Sequence, residues 1–251
     1  MKKKKNQENP QFEVNLQNLR LIKIAAHYHQ WTADAARDQL THLQFLEKII
    51  GFETEAKKDR ALKRRITSAK FPVIKTLEQF NWNHPKKINR GLVEHLFTLD
   101  FIPKNTNIIF VGPCGMGKTH LATALAYHAC CQTANVLFRS AMEIINSLAD
   151  ARKTGRFQFV MKKYTACDIL VIDELGYLPV DKFGADLLFQ VISSRYERGP
   201  ILLTTNRIFK EWPIIFNNDA TLTSAVLDRI LHHCETIIIE GDSYRMRDRE
   251  N

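Results

Sequence analysis

One segment constrains this chain more than any other: Gly112-Pro113-Cys114-Gly115-Met116-Gly117-Lys118-Thr119, which fits G-x-x-x-x-G-K-[ST] at every fixed position. Glycines at these places let successive backbone N–H groups turn inward around a phosphate, and a helix opening at Lys118 points its positive end at the same group. Such a loop needs a strand before it and a helix after it. Ile108-Ile109-Phe110-Val111 is a short apolar β-rich run, and Leu121, Ala122, Ala124, Leu125 and Ala126 follow as a helix former would. The stretch, with His120 at its end, is therefore expected to hold a nucleoside triphosphate, Lys118 reaching the β- and γ-oxygens and the Thr119 hydroxyl ligating Mg²⁺.

The second half of the chain repeats that rhythm. Apolar runs at Asn107–Val111, Ala134–Phe138, Ile169–Ile172, Ile201–Thr204 and Thr236–Ile239 alternate with helical stretches that include Ala141–Tyr164, Phe183–Arg198 and Leu222–Leu231. Parallel strands need crossovers, so this spacing predicts an α/β fold, a parallel sheet flanked by helices. The run at 169–172 ends in Asp173-Glu174. At the carboxyl end of a strand, Asp173 would face the crevice where such sheets bind ligands and could hold Mg²⁺, while Glu174 could polarise an attacking water. A solvated acidic loop is the alternative if the pair is read alone. Likewise Thr204-Thr205-Asn206 ends the next strand; Asn206 could orient the water or touch the γ-phosphate, or cap a following helix.

Ahead of this core, Leu16 to Ala69 shows apolar residues at three- and four-residue steps, which predicts a small all-α N-terminal domain over 1–70 with breaks near Gln30–Ala33 and Gly51. A connector follows over 71–105, with Phe80 and Trp82 as aromatic anchors and a helix near Asn89–Leu99, and the core is assigned to 106–251. Charge is uneven: residues 1–70 carry 15 Lys/Arg against 8 Asp/Glu, the rest 21 against 19. A polyanion or plain solvation would suit that basic end. The five cysteines form neither a CxxC pair nor a zinc spacing and are expected as reduced thiols. No apolar run is long enough for a membrane span and the lysines at 2–5 lead into a polar stretch, so a cytoplasmic protein without membrane contact is expected.

Taken together, Leu40-Thr41-His42-Leu43-Gln44-Phe45-Leu46-Glu47, the connector from Phe71 to Phe80, Gly112 to Ala122, Leu170 to Tyr177, Leu203-Thr204-Thr205-Asn206, Leu227-Asp228-Arg229-Ile230-Leu231-His232-His233 and Gly241-Asp242-Ser243-Tyr244-Arg245 resemble the IstB-like group of AAA+ ATPases, P-loop NTPases related to DnaC. The resemblance spans nearly the whole chain. It implies an ATPase that self-associates into a ring or helical oligomer on double-stranded DNA and assists a partner transposase. By position it makes Lys118 and Thr119 nucleotide ligands, Asp173 a Mg²⁺ ligand, Glu174 the water activator, Asn206 the sensor, and Arg229 a finger inserted into a neighbour's site. Arg229 could instead pair with Asp228 or cap its helix. Only a short stretch follows Glu240, so a full helical lid is not expected and Arg245 has no assignment.

The crossover Ala141–Lys163 is longer than a simple connection requires and carries Arg152, Lys153, Arg156, Lys162 and Lys163, candidates for contacts to DNA phosphates or members of a solvated face. Two rival functions remain: a DnaC-like helicase loader, and a nucleotide-gated DNA scaffold without significant hydrolysis.

Overall fold

The computed structural model describes residues 10–241. The lysines at 2–5 and the segment Asp242 to Arg245 lie outside the described residues, as does the rest of the stretch on which the expected lack of a lid rests. The chain divides into two compact units, Met1–Arg64 and Arg65–Asn251.

The first unit is helical: α1 (Pro10–Asn18), α2 (Ile22–Arg37) and most of α3 (His42–Ala69). Neither expected break exists. Thr32 turns its hydroxyl back onto the Tyr28 and His29 carbonyls, at 2.9 Å each, so α2 runs through residues 30–33. Gly51 has nothing within 4 Å of where a Cβ would stand, and a helix tolerates an exposed glycine at a cost of about 1 kcal/mol. The chain turns instead at Arg20 and Gln39, both in the left-handed region at φ 55° and 52°. The unit is held by an unforeseen cap: the buried Glu53 carboxylate on α3 accepts from the Lys23 and Ile24 backbone N–H groups at 2.7 and 3.0 Å and from Arg60 at 2.8 Å. Burial raises the Glu53 pKa, but these donors together outweigh it and hold the group below the usual carboxylate value.

The second unit contains a five-stranded parallel sheet of β1 (Asn107–Val111), β2 (Val136–Ser140), β3 (Ile169–Leu175), β4 (Ile201–Thr205) and β5 (Cys234–Ile238) in the order β2-β3-β4-β1-β5. This is the P-loop architecture expected. Strand side chains alternate between two cores. Ile109, Val111, Leu170, Ile172 and Leu203 meet α6 (Ala141–Lys153), α8 (Lys182–Arg195) and α10 (Ala220–Leu231) on one face. Ile108, Phe110, Val171 and Leu202 meet α5 (Lys118–Cys131) on the other. Each fully buried side chain of this size stabilises the fold by about 1.5–3 kcal/mol. The connector contributes α4 (Arg90–Leu96), N-capped by Asn89, and joins the sheet edge where Lys87 bridges Glu240.

The helical stretch expected over 141–164 consists of two helices, α6 and α7 (Phe157–Thr165), because Gly155 turns at φ 67° and lets the chain bend. Behind the sheet, Arg195 is 2% exposed, and its guanidinium donates to the carbonyls of Tyr164, Cys167, Asp168 and Pro200 at 2.9 to 3.1 Å. It ties α8 to the entry of β3 and β4. All five cysteines are free, and burial pushes the thiols of Cys130 and Cys234 up to about 11, so both stay protonated. Among the described residues no helix is long and apolar enough to cross a membrane.

Candidate active site

β4 lies between β1 and β3, so the tips of three adjacent strands open toward one crevice. The phosphate loop leaves β1. Gly112 packs against the Ile239 carbonyl so closely that a Cβ would land on it, and Gly117 stands at φ 85° where a Cβ would fall 2.6 Å from Phe80 Cε2. Glycine is therefore required at both positions by contact, and at Gly117 also by backbone conformation. Lys118 is 9% exposed, and its ammonium donates to the Gly112 and Pro113 carbonyls at 2.7 Å each. That holds a cation over the loop, beside the N-terminal end of α5.

Thr119, next in α5, donates its hydroxyl to Asp173 Oδ1 at 2.9 Å across a sequence gap of 54 residues. Asp173 is 6% exposed at the tip of β3, and Thr204 of β4 donates to the same oxygen. From the far side, the Asn206 amide just past β4 reaches Cys114 Sγ in the loop at 3.9 Å. Thr119, Asp173, Asn206 and the loop thus converge. Glu174 stands differently: β3 and β4 slip register between Ile172 and Leu175, and Glu174 sits in that bulge at φ 59° with its side chain exposed. A bulge at a strand end takes a residue out of the ladder, and here it leaves Glu174 exposed at the tip of β3.

Two contributions went unread in the sequence. Thr204 is one; a hydroxyl inside the apolar run Ile201-Leu202-Leu203 was its signal. The connector is the other. Val73, Lys75, Gln79, Phe80, Asn81 and His84 form a wall facing Gly115–Thr119, His120 and Thr123 around a cavity of about 470 Å³. His120 is clasped there, with Nε2 2.9 Å from the Thr76 carbonyl and its ring edge-on to Phe80, and burial lowers its pKa so that the neutral imidazole is favoured.

Arg229 lies elsewhere. Ile230, its neighbour, accepts from the Asn107 side chain at 2.9 Å, and Asn107 begins β1. The phosphate loop leaves the opposite end of that strand, about 13 Å away at ~3.3 Å per residue. Within one chain Arg229 is bonded to the Ala225 carbonyl at 2.8 Å and lies over the Phe189 ring, 4.9 Å from its centre. The basic residues of the crossover are all exposed. Arg152 sits over Phe157 and Phe183, Lys153 pairs with Asp150 at 3.5 Å, and Arg156 and Lys163 flank the exposed Phe159 ring. Lys162 shares the solvent side of α7.

Residues 14–251 match a family model described as IstB-like ATP binding protein. The insertion sequence IS21 putative ATP-binding protein of Pseudomonas aeruginosa is 35% identical over 95% of this chain and 90% of its own length. The corresponding IS232 protein of Bacillus thuringiensis subsp. berliner is 34% identical over 95% of each. Among solved structures, a DnaC helicase loader superposes with a TM-score of 0.54 at 23% identity, over 71% of this chain and 99% of that one. AMPPCP-bound DnaA from Aquifex aeolicus gives 0.57 at 20% identity, over 69% of this chain and 52% of that one. At these identities the two structures speak for the fold.

Proposed function

The chain belongs to the IstB-like ATP-binding protein family, and from that premise we propose that it is an ATPase that assembles on duplex DNA and assists a partner transposase. The observation that carries the enzymatic part is the hydroxyl–carboxylate contact of Thr119 with Asp173, which brings the cradle and the acidic strand tip together. The triphosphate lies along Gly112–Thr119, with its base and ribose toward Val73, Gln79, Phe80 and Asn81. Lys118 serves the β- and γ-oxygens. Thr119 and Asp173 offer the hard oxygen donors that Mg²⁺ takes, and their mutual contact fits them to one ion. When bound, that ion neutralises charge on the phosphates. Glu174, exposed at the tip of β3, accepts a proton from the attacking water, and Asn206 holds that water in line.

Arg229 is too far from its own loop to serve it, which favours action on a neighbouring copy. Arg229→Ala should keep monomer ATP affinity while turnover in the assembled state falls by roughly 10³. Turnover recovered by mixing it with Glu174→Gln, which lacks the base but keeps the finger, would confirm action in trans; full activity of Arg229→Ala alone removes the role.

For DNA, Arg152, Lys153, Arg156, Lys162 and Lys163 present cations on α6 and α7 suited to phosphates and poorly suited to reading bases. The test is duplex binding with and without a non-hydrolysable ATP analogue across a salt series, with electron microscopy of the tight complex. Affinity should require the analogue and fall steeply with salt, and each phosphate-contacting cation removed should lower the log–log slope by about 1. Binding that ignores both nucleotide and salt would refute the DNA-assembly reading.

A further inference from the structure

We propose that Thr204 is a positioning residue, whose single hydroxyl sets both acidic residues at the tip of β3; the proposal rests on the ATPase reading above. Thr204 is 1% exposed. Its Oγ1 donates to Asp173 Oδ1 and accepts from the Glu174 backbone N–H at 2.9 Å. One oxygen thus uses its proton on the residue assigned to Mg²⁺ and a lone pair on the residue assigned to water.

The two bonds act on different things. The first fixes the Asp173 carboxylate and satisfies a buried acceptor; Thr119 supplies the second hydroxyl on the same oxygen. The second holds the backbone of Glu174, which stands at φ 59°, a conformation that L-residues other than Asn and Asp adopt at a cost. Because the bulge has taken Glu174 out of register with β4, its N–H needs a partner other than the strand ladder, and Thr204 provides it. The Cα–Cβ direction of Glu174, and with it the aim of the carboxylate, follows from that bond.

Packing does not account for a threonine here. Position 204 is buried in a central strand, where valine has the same shape and β preference without a hydroxyl that must be satisfied. The same position pairs with Phe110 of β1, so the residue sits between the strand that launches the phosphate loop and the strand that carries the carboxylates. Only the chain order β3-β4-β1 puts it there.

Substitution separates the two accounts. If Thr204 serves packing, Thr204→Val behaves like the parent chain and Thr204→Ala is the damaged one. If the hydroxyl positions the acids, Thr204→Ser keeps turnover within about threefold, while Thr204→Val loses about 10- to 100-fold in kcat for two lost hydrogen bonds, one of them to a charged group. KM for ATP should change little. The Mg²⁺ concentration that half-saturates ATP binding should rise several-fold, a readout that loss of packing does not move. Thr204→Val with parental kcat and parental Mg²⁺ dependence overturns the proposal. Should Thr204→Val fail to fold, Thr204→Ala decides: a shifted Mg²⁺ dependence supports the hydroxyl's role, and an unshifted one overturns it. A parent chain without turnover on DNA would sink the ATPase reading instead, and the Mg²⁺ dependence of ATP affinity would then judge Thr204 alone.

Discussion

Lys118→Ala should bind ATP roughly 10- to 100-fold more weakly than the parent chain, the loss expected when a charge-assisted contact of about 1.5–3 kcal/mol is removed. The ammonium lies over the loop, bonded to the Gly112 and Pro113 carbonyls. Its removal takes away the cation held over the loop and leaves two loop carbonyls without that donor. Both effects act in one direction. Titration with a fluorescent ATP analogue measures the loss, and a cooperative thermal transition near the parental one shows that the sheet survives. ATP affinity within threefold of the parent would take the loop out of nucleotide binding.

Glu174→Gln separates binding from chemistry. The amide has nearly the same volume but cannot take a proton from water, and general-base catalysis is worth about 10²–10⁴ in rate. ATP affinity should stay within a few-fold because Lys118, Thr119 and Asp173 are untouched. The backbone should hold as well, since the Glu174 N–H bond to Thr204 does not involve the side chain. Single-turnover phosphate release measures the effect, and DNA complexes should persist because ATP is retained. Parental turnover in this variant would exclude Glu174 as the water activator.

Much of this site was readable because its parts are local. The loop, its strand and its helix are contiguous, so Gly112 to Thr119 announces its geometry by spacing alone. Asp173, Glu174 and Asn206 each end an apolar run, and a parallel sheet sends every such end to the same side. Helix breaks were harder. Gln30–Ala33 and Gly51 look weak by composition, yet hydrogen bonds and open space let the helices continue. Where the stretch over 141–164 divides was not legible either, because the left-handed backbone of Gly155 is not visible in an apolar pattern.

What the chain's order of residues decides, then, is which groups stand at strand ends and which fold class carries them, since periodicity and turn chemistry act over a few residues. What needs the folded molecule is who stands beside whom. The insertion of β4 between β1 and β3 puts the Thr204 hydroxyl on Asp173, the bulge at Ile172–Leu175 turns Glu174 outward, and the connector closes the cavity over His120. Each depends on strand order and register between segments that the sequence separates by tens of residues. Burial of both sheet faces selects that arrangement, and no local pattern records it.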